Sequence, residues 1–255
     1  MSWDHEGIPR PPARRRRRRR GSALAGVFNT LVVAGVVTAG VVAWHPAYEL
    51  ADLTGLIGVE QERLTPAPAR LAGEGSFTFG MTQPGSSDPV GYDPCQEIEI
   101  VINPVGAPQR YAELVDTAVA RTSAATGLTL RVVGETDDRN FTRRGPGDPV
   151  LVAWANEDEA PELTGDIAGI GGSTALQRIG HAKYVSGIVV IDLDVPFWNR
   201  GHASAQVIMD HEFGHLVGLG HVADRGELMN ATPTRDSYGP GDLEGLAELG
   251  NITCG

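Results

Sequence analysis

The chain has 255 residues, 41 % of them hydrophobic, and a formal charge of −11. The first twenty residues hold eight of the 21 basic side chains (Arg10 and Arg14 to Arg20) beside only Asp4 and Glu6, so the other 13 basic and 30 acidic residues give the body −17. An acidic body with a basic tail argues against a nucleic-acid-binding enzyme domain, and the apolar content suits one enzyme-sized core.

In chain order, residues 1–22 read as a disordered basic tail without apolar periodicity. Residues 23–44 are apolar, and no Asp, Glu, Lys or Arg lies between Arg20 and Glu49. At about 1.5 Å per residue this stretch covers roughly 33 Å, enough for a bilayer core. Trp44 and Tyr48 stand where an interfacial aromatic belt belongs, and the arginines favour a cytoplasmic N-terminus. The expectation is a single-pass anchor with the acidic body outside the cell membrane. The alternative is a signal peptide and a secreted product, but the run is long for one and no clear cleavage site follows. Residues 45–92 read as a stalk, with a short helix over 45–63, many Pro and Gly, and a short strand at Phe77-Thr78-Phe79.

Residues 93–255 read as one domain. Glu97 to Asn103 alternates as a strand should, and Arg110 to Thr126 has helical spacing that Gly127 ends. Leu128 to Val133 and Pro149 to Trp154 predict two more strands. Gly169, Gly171 and Gly172 introduce an expected edge strand over Ser173 to Tyr184, and Ser186 to Leu193 predicts a fifth. A helix is expected from Ala203 to Val217 and a short closing helix from Gly241 to Leu249. The two cysteines, Cys95 and Cys254, bracket this domain, and in an exported protein a disulfide between them is expected.

The chemistry sits in His211-Glu212-Phe213-Gly214-His215-Leu216-Val217-Gly218-Leu219-Gly220-His221. His211 and His215 are four apart, so on a helix they share one face and can grip one metal ion. Imidazole is a usual zinc ligand, and three protein ligands with one open position is the catalytic arrangement. Gly218 can end the helix at positive φ, which lets the chain return His221 as a third ligand. Glu212 is turned away from the ligand line and placed to act on water as a general base.

This string resembles the elongated zinc signature of the metzincin metalloproteases. Met229, eight residues after His221, stands where that clan has its Met turn, and Tyr238 to Leu246 is similar to the closing segment of the matrixin branch. The resemblance covers about residues 90–255. It departs at Val222, at Asn230-Ala231 after the Met, and in having no structural-zinc histidine cluster.

The resemblance implies an α+β metzincin-type domain: a mixed, mainly parallel, five-stranded twisted sheet with an active-site helix and a closing helix. It implies a zinc endopeptidase acting on a peptide or protein substrate, with one catalytic Zn²⁺ and Met229 as a hydrophobic floor. The alternative is a catalytically silent zinc domain with a binding or structural role. A cysteine switch of the matrix-metalloprotease kind lacks its motif around Cys95. Gly172 to Ala182 is the expected substrate edge and Thr232 to Gly239 the expected pocket border, with Tyr238 on the surface, or lining that pocket or helping to hold the oxyanion. Asp192 and Asp194 are candidates for a Ca²⁺ site. His5, His45, His181 and His202 read as ordinary histidines.

Overall fold

The computed structural model describes residues 61–69, 75–142, 144–178, 181–194 and 202–254. The expected tail, the anchor over 23–44 and most of the proposed helix over 45–63 lie outside the described residues. Its last three positions, 61–63, are not helical. Among the described residues no helix is long and apolar enough to cross a membrane.

Five strands and three helices follow in the order β1 (Glu97–Ile102), α1 (Tyr111–Thr126), β2 (Thr129–Glu135), β3 (Val150–Ala155), β4 (Gly169–Arg178), β5 (His181–Asp192), α2 (His202–Val217) and α3 (Pro240–Gly250). The sheet order is β2-β1-β3-β5-β4. β1 pairs parallel with β2 and β3, β3 pairs parallel with β5, and β4 lies antiparallel to β5 at one edge. The mixed, mainly parallel, five-stranded sheet is the one the sequence led us to expect.

Each strand's composition matches its place. β1 buries Ile98, Ile100 and Ile102 and turns Glu97 and Glu99 outward, where Arg131 of β2 pairs with both. β3 is apolar without alternation because both faces are covered: all six of its residues are buried. α1 buries Leu114, Val115 and Ala118 and ends on Gly127, whose left-handed φ of 66° directs its N–H to the Ser123 carbonyl. The larger core lies between the sheet and the helices. A smaller one, around Phe141, Leu151, Leu163 and Ile188, fills the other face under the loops.

One expected element is divided differently. Ser173 to Tyr184 is not a single edge strand: it belongs to two antiparallel strands, with Arg178 opposite His181 and a register shift between Thr174 and Ala175. The glycines ahead of Ser173 are not a lead-in but part of β4, because α2 crosses there at backbone distance. A Cβ at Gly171 would collide with the Glu212 backbone.

Residues ahead of β1 are fastened to the domain. Arg63 donates to the Ile252 carbonyl and Asn251 to the Pro68 carbonyl. Residues 79–92 fold back on themselves, with Val90 N–H on the Met81 carbonyl and the Gln83 amide hydrogen-bonded to both the N–H and the C=O of Ala182. Val90 and Tyr92 are buried in the main core. Cys95 and Cys254 form the expected disulfide across 159 residues of sequence.

Candidate metal centre

α2 carries the first half of the site. Asp210 through Leu219 are all buried, so this helix runs through the core rather than over it. His211 and His215 therefore face inward, with rings 4.7 Å apart. Gly218 stops the helix at φ 125°, where a side chain would also meet Leu249 and Tyr184. His221 follows on the returning loop, half-buried.

The three Nε2 atoms converge. His211 and His221 are 3.0 Å apart, His215 and His211 3.1 Å, and His215 and His221 3.1 Å. Nδ1 of His211 lies 2.8 Å from the Leu228 carbonyl, and Nδ1 of His215 lies 2.8 Å from the Leu219 carbonyl. A carbonyl only accepts, so both Nδ1 atoms carry the proton and both Nε2 atoms present bare lone pairs. Bare lone pairs facing each other at this distance repel, and a shared cation removes that repulsion. Tetrahedral zinc, with Zn–N near 2.0–2.1 Å, sets its nitrogen ligands roughly 3.3 Å apart, close to the triangle present here. The donor set fits zinc. Burial also pushes all three imidazoles toward the neutral, ligating form, His211 down to about 4.

Glu212 stands beside this triangle, 5 % exposed. Burial pushes its carboxyl up to about 8, partly offset by a hydrogen bond from the Gly171 N–H. A carboxyl tuned near neutrality can both take and return a proton, and a cation beside it would draw the value back down.

Met229 is 1 % exposed and packs directly under α2: a Cβ on Gly214 would lie 2.5 Å from its sulfur. The turn holding Met229 is fixed by two carboxylates that the sequence reading missed. Glu227, fully buried on the turn, accepts from the N–H groups of Gly241 and Asp242 at the start of α3. Asp242, on α3, accepts in return from Leu228, Met229 and Gly239. Turn and helix thus cap each other, and the Leu228 carbonyl that orients His211 is held between them. Asp242 at the third position of a helix begun by Gly-Pro had a legible capping signal. Glu227 had none.

Tyr238 is not on the surface. It is 8 % exposed, donates its hydroxyl to the Asp210 carbonyl at 2.8 Å and lies 3.2 Å from the Thr122 hydroxyl. Asp210 itself is buried, bound by Gln206 and ion-paired with Arg121 of α1. These contacts anchor the turn preceding His211.

The Ca²⁺ expectation gains no support. Asp192 uses one oxygen to accept the Asp194 N–H, and the pair joins no group of three ligands among the described residues. Two groups of that kind occur there: the three histidines, and Asp93 beside the Cys95–Cys254 pair, whose sulfurs are already joined. His181 is exposed on β5.

No family model matches the chain, and no curated protein matches it. Among solved structures it is similar to high choriolytic enzyme 1, a hatching enzyme zinc-protease from Oryzias latipes (medaka fish). The identity is 17 %, the match covers 49 % of this chain and 44 % of that one, and the TM-score is 0.26. The chain thus matches less than half the length of that protein.

Proposed function

We propose that this chain is a zinc-dependent endopeptidase of metzincin type, matrixin-like in its closing segment. The observation that carries the reading is the triangle of Nε2 atoms, two of them left as acceptors because the Nδ1–H of each ring donates to a carbonyl, with a buried carboxyl beside it. His211, His215 and His221 would hold the metal. Zinc, when bound, would supply Lewis acidity toward a carbonyl and make a water more acidic. Glu212 takes the proton from the attacking water and returns it to the departing amine. Met229 supports the floor by packing and takes no part in the chemistry.

β4 is the terminal strand of the sheet and crosses beside Glu212. A peptide can add along it by main-chain hydrogen bonds, which moves the expected substrate edge to Gly169–Arg178. The disulfide suits an oxidising compartment. We propose export with anchoring through residues 23–44, the N-terminus cytoplasmic and the domain outside.

The test uses the full-length protein with and without Glu212→Ala. One zinc by elemental analysis in both, with cleavage of an unstructured protein such as casein by the parent alone and its loss to a chelator, is the expected result. Zinc in both with cleavage of a broad peptide library by neither would favour a silent zinc-binding domain instead.

A further inference from the structure

His221 lacks what holds the other two histidines. It is on no helix, and its Nδ1 has no carbonyl partner among the described residues. Its backbone is held on one side by Val222, whose N–H donates to the Met229 carbonyl, and on the other by a segment far ahead of it in sequence. The Gly220 N–H donates to the Thr78 carbonyl at 2.8 Å, and the Gly80 N–H donates to the Gly218 carbonyl at 2.8 Å. Phe79 and Leu219 form an antiparallel bridge between these bonds. The Thr78 hydroxyl then donates to the carbonyl of His221 itself, at 3.1 Å.

We propose that residues 76–80 act as a strap that sets the third ligand, with Thr78 as the positioning residue for His221. This rests on the metal reading above. The Gly218 N–H and Leu219 N–H bond back into α2, but the Gly218 and His221 carbonyls and the Gly220 N–H find their partners on the strap. The strap turns this loop into one half of a two-stranded pairing, which fixes where the His221 ring emerges. Two further contacts show that the approach is built close. A Cβ at Gly220 would lie 2.7 Å from the Thr78 hydroxyl oxygen, so a larger residue there would push the strap away. Phe77 packs against Gly245 of α3, where a Cβ would come within 2.9 Å of its ring. The strap is thereby seated on the closing helix at one end.

A side chain that orients a ligand from outside typically changes metal affinity about 10–100-fold when removed. The experiment loads full-length protein with Zn²⁺ alone and measures affinity by competition with a chromophoric chelator. The variants are Thr78→Val, Thr78→Ser, Gly220→Ala and Gln83→Ala. Thr78 is exposed, and Thr78→Val leaves its backbone bonds in place, so the fold persists. Thr78→Val is expected to weaken zinc about ten-fold or more and Thr78→Ser to restore it. Gly220→Ala, which displaces the strap from the opposite side, is expected to act in the same direction. Gln83→Ala, which removes the bonds to Ala182 and touches neither Thr78 nor His221, should lower the melting temperature and leave zinc affinity alone. The visible spectrum of the Co²⁺ form should change in Thr78→Val and not in Gln83→Ala. Zinc bound normally by the parent, with Thr78→Val and Gly220→Ala both within two-fold of it, would overturn the strap's role alone. A parent that binds no zinc would overturn the metal reading and the strap with it.

Discussion

His211 and His215 on one side, and His221 on the other, reach the same point by different physics. The first two are fixed by a buried helix, and each ring is locked by a carbonyl on its far nitrogen. The third sits on a loop whose Gly220 N–H and Gly218 and His221 carbonyls are paired by residues 78–80, more than 130 positions earlier. A helix fixes its ligands through local bonds that form with it. Past Leu219 the loop has no bonds back into the helix and depends on other segments being in place. The site therefore has a half built with α2 and a half completed only when the chain ahead of β1 docks.

The comparison can be broken most directly at the ligands. If zinc binding is worth about 10–16 kcal/mol as in structural sites, one ligand in three carries roughly 3–5 kcal/mol, on the order of a thousand-fold in affinity. His215→Ala is expected to lose at least that much by chelator competition. His221→Ala is expected to lose less, because α2 still presents the other two nitrogens. Equal losses would erase the distinction.

Next in size is the disulfide. Closing a loop of 159 residues is worth about 3–5 kcal/mol in the chain-entropy account. Urea unfolding of the reduced protein should show that loss, while its zinc stoichiometry stays at one. Loss of zinc on reduction would mean that the chain ends are coupled to the His221 loop.

The capped turn comes third. Asp242→Ala leaves the N–H groups of Leu228 and Gly239 buried without an acceptor, at about 1–3 kcal/mol each. Since Leu228 also orients His211, this variant should weaken zinc as well as stability. Gln83→Ala, by contrast, should affect stability alone.

The smallest effect is an alkaline one. Burial raises the phenols of Tyr92, Tyr184 and Tyr238, Tyr184 to about 12. A raised value means that the folded state keeps a proton the unfolded state gives up above about pH 10. Stability should therefore fall as pH rises from about 10, by up to about 1.4 kcal/mol per pH unit for each buried tyrosine. Tyr184 packs under the turn at Gly218, and Tyr238 hangs from α2. Tyr184→Phe should flatten the slope of urea midpoints against pH, and an unchanged slope would show that this phenol ionises in the folded protein.

Much of this was legible in the sequence because it is local. The spacing of His211 and His215 is a property of any helix, and Gly218 and Gly127 announced their turns by residue type. The alternation in β1 and the unbroken apolar run of β3 gave their places in the sheet. The division of residues 169–192 into two strands was misread, since apolar periodicity runs on across Gly180 and nothing nearby marks the return. Tyr238 was misplaced for a related reason: a tyrosine in a polar loop carries no sign that its hydroxyl will meet the Asp210 carbonyl.

By itself, then, the sequence determined the three histidines, the helix that pairs two of them, the carboxyl beside them and the cysteines that can join. Those follow from side-chain chemistry and from spacings shorter than two helical turns. Only the tertiary structure decided that Glu227 and Asp242 cap each other across the turn, that β4 lies glycine-close to Glu212, and that the Thr78 hydroxyl meets the His221 carbonyl. Each of these depends on where a buried hydrogen bond finds its partner, and that is set by the packing of segments distant along the chain.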